Sequence, residues 1–146
     1  MIRKKINKNL FLLLIFFHIN LYATLLEEAH RAYMQGKSTK AITLLKQSCS
    51  KGTAIACSNL AIIYYKNDTI KYNKVLSQKY NKQACSLDDA QGCANLARSY
   101  IEMYGYKKTI LLKAIPLLKK ACKLNYKSAC EDVKILQEDY LHEKPR

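Results

Sequence analysis

The chain has 146 residues, with 25 basic against 11 acidic side chains and a formal net charge of +14. It holds four glycines and two prolines, and no alternating apolar pattern runs through it, which argues against a sheet-based fold. On an intracellular protein such a basic excess would suggest a nucleic-acid partner, but the first elements of the chain remove that reading.

Residues 1–23 read as an export signal. Arg3, Lys4, Lys5 and Lys8 make a cationic start, and Leu10 to Phe17 form an unbroken apolar run. Leu21-Tyr22-Ala23 ends on the small residue that cleavage requires, although Leu21 is larger than usual at its place. A membrane anchor would need ~20 apolar residues, and His18 and Asn20 interrupt the run too early. No cysteine follows it to carry a lipid. Removing this segment, which has four basic and no acidic side chains, leaves 123 residues with a net charge of +10, enough for one domain. An exported chain meets little nucleic acid. The charge then reads as solvated lysines on outward helix faces, or as a match to an acidic partner or envelope surface.

From Thr24 onward the pattern is helical. Leu25, Leu26, Ala29, Ala32 and Tyr33 recur at helical spacing and stop at Gly36. A second helix follows Ser38, read as its N-cap, and carries Ala41, Leu44, Leu45 and Ser48 on one side up to Cys49. Cys57, Leu60, Ala61 and Tyr64 mark the next, ending near Asn67 and Asp68. The alternation continues over roughly 72–87, 89–103, 110–124 and 127–142, giving seven helices joined by short turns. Pro116 would cost ~3 kcal/mol deep in a helix. The Tyr104-Gly105-Tyr106 loop therefore suggests a late start near Leu112, with a kink as the alternative.

One stretch occurs three times, as Cys49-SKGTAIA-Cys57, Cys85-SLDDAQG-Cys93 and Cys122-KLNYKSA-Cys130, and uses all six cysteines. Gly52, Asp88 and Asn125 hold the same place in it, and these residue types tolerate the left-handed backbone that ends a helix. One continuous helix would separate the paired Cα atoms by ~12 Å, whereas a disulfide needs them within roughly 7 Å. The chain must therefore reverse at these residues, making each stretch the stapled tip of a helical hairpin. Structural zinc favours closer cysteine pairs and histidine, and the only histidines are His18, His30 and His142. Repeat symmetry favours the local pairings 49–57, 85–93 and 122–130, and disulfides fit an oxidising compartment.

Superposing the units predicts the core. Leu60, Leu96 and Val133 share one position, Ala61, Ala97 and Lys134 the next, and Tyr64, Tyr100 and Gln137 a third. On the preceding helix the equivalents are Ala41, Ser77 and Ala114, then Leu44, Tyr80 and Leu117, then Ser48, Ala84 and Ala121. Small residues mark close helix crossings, and the tyrosines read as core. The departures at Lys134 and Gln137 suit a last helix whose outer face meets water.

A period of 36 to 37 residues with two helices resembles the tetratricopeptide-like solenoids. The stretch KQACSLDDAQGCANLARSY is similar to the Sel1-like repeat in its cysteine-rich exported form, as in the Helicobacter cysteine-rich proteins. The resemblance covers residues 24–146. It implies an all-α, right-handed α-solenoid of stacked two-helix Sel1-like units stapled by disulfides, with units at about 24–51, 53–87, 89–124 and a capping helix at 127–142. The first unit lacks a cysteine pair and reads as a plain tetratricopeptide hairpin.

The resemblance also implies two functions. One is an interaction scaffold holding a peptide or partner protein on its concave face. The alternative is a penicillin-binding protein or weak β-lactamase, which would act on a β-lactam or a cell-wall-related small molecule. The only Ser-x-x-Lys is Ser48-Cys49-Ser50-Lys51, with no Ser-Asp-Asn or Lys-Thr-Gly after it, so no catalytic residue is assigned. Candidate binding positions lie on the first helix of each unit: Asn59, Asn95 and Asp132 at the repeat's Asn place, with Ile62, Ile63, Arg98, Ser99 and Glu102 beside them. An Asn offers a donor and an acceptor to an extended backbone, or equally a bond to a neighbouring helix. The expected partner is a peptide or protein, an acidic one fitting the charge. No cofactor, metal, nucleic acid or membrane span after signal removal is expected. The mature chain is expected to be a periplasmic or secreted monomer.

Overall fold

The computed structural model describes residues 24–66 and 72–140, so the segment read as an export signal lies outside the described residues. The described residues form seven α-helices and no strand. These are α1 (24–34), α2 (Ser38–Ser50), α3 (Ala54–Lys66), α4 (Lys74–Ser86), α5 (Ala90–Tyr104), α6 (Lys108–Lys123) and α7 (Lys127–Tyr140). From α2 onward each helix packs on the next, and α3 also meets α5. That is the contact pattern of a stack of helical hairpins, in which each unit touches only its neighbours.

Four of the turns are built alike. Gly36, Gly52, Asp88 and Asn125 all take positive φ, at 72°, 90°, 60° and 67°. At each one the residue itself donates its N–H to the carbonyl three back, and the following residue donates to the carbonyl five back, as in Gly52 to Cys49 and Thr53 to Ser48. This double bond pattern satisfies the last carbonyls of the helix. It also fixes the thiols. The first cysteine of each pair is the residue whose carbonyl accepts from the positive-φ residue three positions on, and the second is the fourth residue of the next helix. Reversal brings the Cα atoms to 4.9, 4.4 and 4.8 Å for Cys49–Cys57, Cys85–Cys93 and Cys122–Cys130, and all three pairs are bridged.

Small residues set how closely the hairpin arms approach. Ser48, Ala84 and Ala121 are 0% exposed on one arm, as is Ala56 on the opposite arm of the first pair. Between α4 and α5 that opposite residue is Gly92, where a Cβ would stand 2.5 Å from the Ala84 Cβ. The bridge at this crossing has the shortest Cα separation of the three.

The larger repeat positions fill the space between arms. Leu60, Leu96 and Val133 are buried, as are Ala61, Ala97 and Tyr64. Tyr64 stacks on Tyr80 with ring centroids 5.7 Å apart, and Tyr100 packs half-buried against the core. Lys134 is exposed on the terminal helix. Buried side chains form two clusters. One joins α1 to α3 with Ala84, and the other runs from Cys85 through α5, α6 and α7.

Two local expectations need correction. Helix α2 begins at Ser38 itself, with Lys37 in the cap position and no side-chain cap bond from it. Helix α6 does not start late: Lys107, extended at ψ 139°, caps it, so Pro116 lies in the helix interior. Gly105, at φ 77°, donates to Ile101 O and ends α5 abruptly, so two residues suffice to reach the new helix. Pro116 and Leu112 are both exposed. The Leu112 carbonyl, which proline deprives of its N–H partner, therefore lies on the solvent side, where water can satisfy it.

Candidate functional site

The first helices of successive units, α3, α5 and α7, line one side of the stack and leave two niches between them. The first, about 280 Å³, lies between α3 and α5 over α4 and is lined by Ile62, Tyr65, Asn81, Gln91, Asn95 and Arg98 among others. The second, about 640 Å³, lies between α5 and α7 over α6, with Ile101, Leu118, Ile135, Leu136, Tyr106 and Tyr140 in its walls. Arg98 and Glu102 line both, so the niches lie side by side across α5 along one face, called here the groove. They are the same place in consecutive repeats: Ile62 corresponds to Arg98, Tyr65 to Ile101, Asn95 to Asp132 and Asn81 to Leu118.

Ion pairs between units hold the groove's charged residues. Arg98 Nη2 and Nε donate to Asp132 Oδ2 at 2.7 and 3.0 Å, and Nη2 also reaches Ser128 Oγ at 3.2 Å. The guanidinium lies 5.9 Å from the Tyr126 ring centroid. Glu102 accepts from Lys74 Nζ at 2.7 Å and from the Tyr65 hydroxyl at 3.3 Å, tying α3, α4 and α5 together. The hydrogen bond from Lys74 holds the Glu102 carboxyl below the usual carboxylate range. The Glu102 charge, in turn, pushes the Tyr65 phenol up.

The sequence-predicted residues divide into three groups. Asn95, Arg98, Ser99, Glu102 and Asp132 converge on the groove, with Ile62 on its wall. Asn59 is exposed on α3 but lines neither niche. Ile63 turns away, 7% exposed within the core cluster of α1 to α3, and so offers no ligand surface. Ser99 is partly committed, donating to Leu96 O at 2.8 Å and accepting from Gln78 Nε2 at 3.3 Å.

Sequence reasoning missed the niche floors, because it placed the site on first helices alone. Ser77 and Asn81 come from α4, and Leu118 from α6. A signal was present: four residues before the first cysteine the three units read Leu45, Asn81 and Leu118. Asn81 is 4% exposed, and its Oδ1 has no hydrogen-bond partner among the described residues.

Ser48, the serine of the Ser-x-x-Lys match, is 0% exposed with its Oγ unpartnered. No substrate carbonyl can reach it in this packing, and no base touches it. Among the described residues no group of three or more His, Cys, Asp or Glu side chains could hold a metal ion. Nor is any described helix long and apolar enough to cross a membrane.

No protein-family model matches the chain, and no curated protein does. Among solved structures it is similar to a Sel1 repeat protein from Oxalobacter formigenes, with 20% identity, a TM-score of 0.65, and 77% of this chain and 87% of that one covered. It is also similar to Helicobacter pylori cysteine rich protein B, with 22% identity, a TM-score of 0.59, and 77% and 90% covered. Identities this low carry the fold alone. That fold, with all three local disulfides in place, is the one the resemblance implied: a right-handed α-solenoid of stacked Sel1-like hairpins.

Proposed function

We propose that the chain is an exported scaffold that holds a peptide segment of a partner protein in the groove of α3, α5 and α7. One observation carries this reading: two repeat-related niches lie side by side and share Arg98 and Glu102, so a ligand longer than one side chain can span both. Peptides suit such a groove because repeat spacing matches a repeating backbone, while niches receive individual side chains. The three disulfides favour an oxidising compartment.

Ile62 tests it, being 37% exposed on the groove wall. Proteins captured from an envelope extract by the oxidised chain should be lost from Ile62→Arg, which should melt within ~2 °C of the parent, as an exposed substitution does. Retention of the same proteins by the variant would place binding elsewhere.

A further inference from the structure

We propose that the side of the stack away from the groove docks on an anionic lipid surface, through exposed lysines and aliphatic side chains of α2, α4 and α6. The inference is independent of the groove reading: it concerns where the scaffold sits, not what it holds.

Charge is divided between the two sides of the stack. Helices α2, α4 and α6 carry ten lysines and no acidic residue. Helices α1, α3, α5 and α7 carry five basic and seven acidic residues. The excess of positive charge among the helices therefore belongs wholly to the second helix of each unit. Carboxylates that pair with those lysines are few: Glu28 with Lys40, Glu102 with Lys74, and Asp88 with Lys120. The other seven lysines have no ion-pair partner among the described residues.

The repeat lines these groups up. Three residues before its first cysteine each unit has a lysine, Lys46, Lys82 and Lys119, and all three are exposed. On the same helix face Lys82 follows Val75 and Lys79, and Lys119 follows Leu112 and Pro116, at spacings of four and three. Lys79 and Pro116 each stand two residues before a niche-floor residue, Asn81 or Leu118, and so roughly 200° round the helix from the groove. Val75 is 69% and Leu112 60% exposed, at equivalent places in successive units. Between α4 and α6 lies a trough of about 490 Å³ lined by Tyr100, Leu112, Pro116 and Leu117 together with Lys82 and Lys113. Apolar surface thus lies between the lysines.

That mixture selects the partner. Phosphates gripped one at a time call for the arginine fork, and α2, α4 and α6 contain no arginine. The centres of protein interfaces favour arginine and aromatic anchors and are poor in lysine. Lysine ammoniums on flexible stems suit a diffuse field instead, as an anionic leaflet presents. Their stems, with Val75 and Leu112, can rest on the acyl boundary while the charges stay at headgroup level. A soluble polyanion offers those aliphatic side chains nothing to enter. Docked in this way, the groove faces away from the membrane and stays open.

The test uses oxidised residues 24–146, which hold both core clusters and all three bridges and omit the apolar run at 10–17. The protein should sediment with vesicles of three parts phosphatidylcholine to one part phosphatidylglycerol, and not with pure phosphatidylcholine. Salt at ~0.5 M should release it. A lysine near an anionic leaflet is worth about fivefold in affinity, so Lys46→Gln, Lys82→Gln and Lys119→Gln together should weaken binding on the order of 100-fold. Arg31→Gln, Lys127→Gln and Lys134→Gln remove the same charge from first helices and should cost no more than ~3-fold, being off the docked stripe. Val75→Ser with Leu112→Ser should weaken vesicle binding several-fold and leave any binding to soluble polyglutamate unchanged. All these positions are exposed, so the variants should melt within ~2 °C of the parent, and the salt and lipid comparisons need no variant. Equal binding to the two kinds of vesicle, or to neither, would overturn the inference, as would equal losses from the two triple variants. Tighter binding to polyglutamate than to the anionic vesicles would overturn it in favour of an acidic protein. Each of these outcomes leaves the groove reading standing.

Discussion

At Ser48 a hydroxyl is sealed in the core without a partner, where the other units place Ala84 and Ala121. Ser48→Ala should therefore raise stability, by ~1 kcal/mol, because it removes an unsatisfied polar group and leaves no cavity. Urea melts measure that change. The same variant should leave any hydrolysis of a chromogenic penicillin unaltered, and a ~100-fold loss would instead make Ser48 a nucleophile. Gly92 is the opposite case. A methyl there would meet the Ala84 Cβ at 2.5 Å and the Cys85 backbone N at 3.1 Å. The outer bridges show what relief looks like, with Cα separations of 4.9 and 4.8 Å against 4.4 Å. Gly92→Ala should cost about 1–3 kcal/mol as the arms are forced apart. Adding Ala84→Gly should recover part of that loss, and a double-mutant cycle reads the coupling directly.

Elements are joined here by turns and by ion pairs, and each has its own test. Asn125 holds a left-handed φ of 67° to end α6, a conformation that glycine adopts without a Cβ penalty. Asn125→Gly should raise stability by up to about 1 kcal/mol, while Asn125→Ala should lower it, as thermal melts would show. The link from α4 to α5 through Lys74 and Glu102 depends on pH. The carboxyl of Glu102 is lowered from 4.5 by the hydrogen bond from Lys74, so its contribution is present above the unfolded-state value and is lost as pH falls through the folded one. Lys74, raised from 10.5 chiefly by the same bond, contributes below that value and loses its effect as pH rises past the folded one. Glu102→Gln should thus melt slightly below the parent at pH 7 and level with it at about pH 3. A difference that persisted at low pH would show that Glu102 acts through packing instead.

For the whole molecule, stability is assembled from neighbours. The two core clusters meet where Ala84 belongs to one and Cys85 to the other, so the Cys85–Cys93 bridge, which lies in the second cluster, borders the seam between them. Each bridge closes a nine-residue loop, worth about 2.6 kcal/mol in the chain-entropy model, or roughly 8 kcal/mol for three at most. That sum is comparable to the stability of a small domain. Reductant should lower the melting temperature sharply. The double variant Cys85→Ser with Cys93→Ser should lose more than Cys122→Ser with Cys130→Ser, since the latter loosens only the terminal hairpin. Equal losses would mean that the seam transmits nothing between the clusters.

Much of this architecture was legible from spacing. The cysteine pairing follows from a chain that must reverse between two thiols, and Gly52, Asp88 and Asn125 mark the reversal because backbone sterics at positive φ depend on the residue alone. The small positions at Ala41, Ala84 and Ala121 were readable for a similar reason: period and side-chain size are properties of the sequence. Whether a side chain faces ligand or core was not. Ile62 and Ile63 are adjacent and chemically identical, yet one walls the groove and the other lies in the core, because a helix turns 100° per residue and only its neighbours decide which side is open. The late start of α6 failed because Pro116 was judged without knowing that the Leu112 carbonyl would face water. Asn81 is visible in the sequence as a break in a leucine column, but only the tertiary structure places that break at the floor of a niche rather than in packed core.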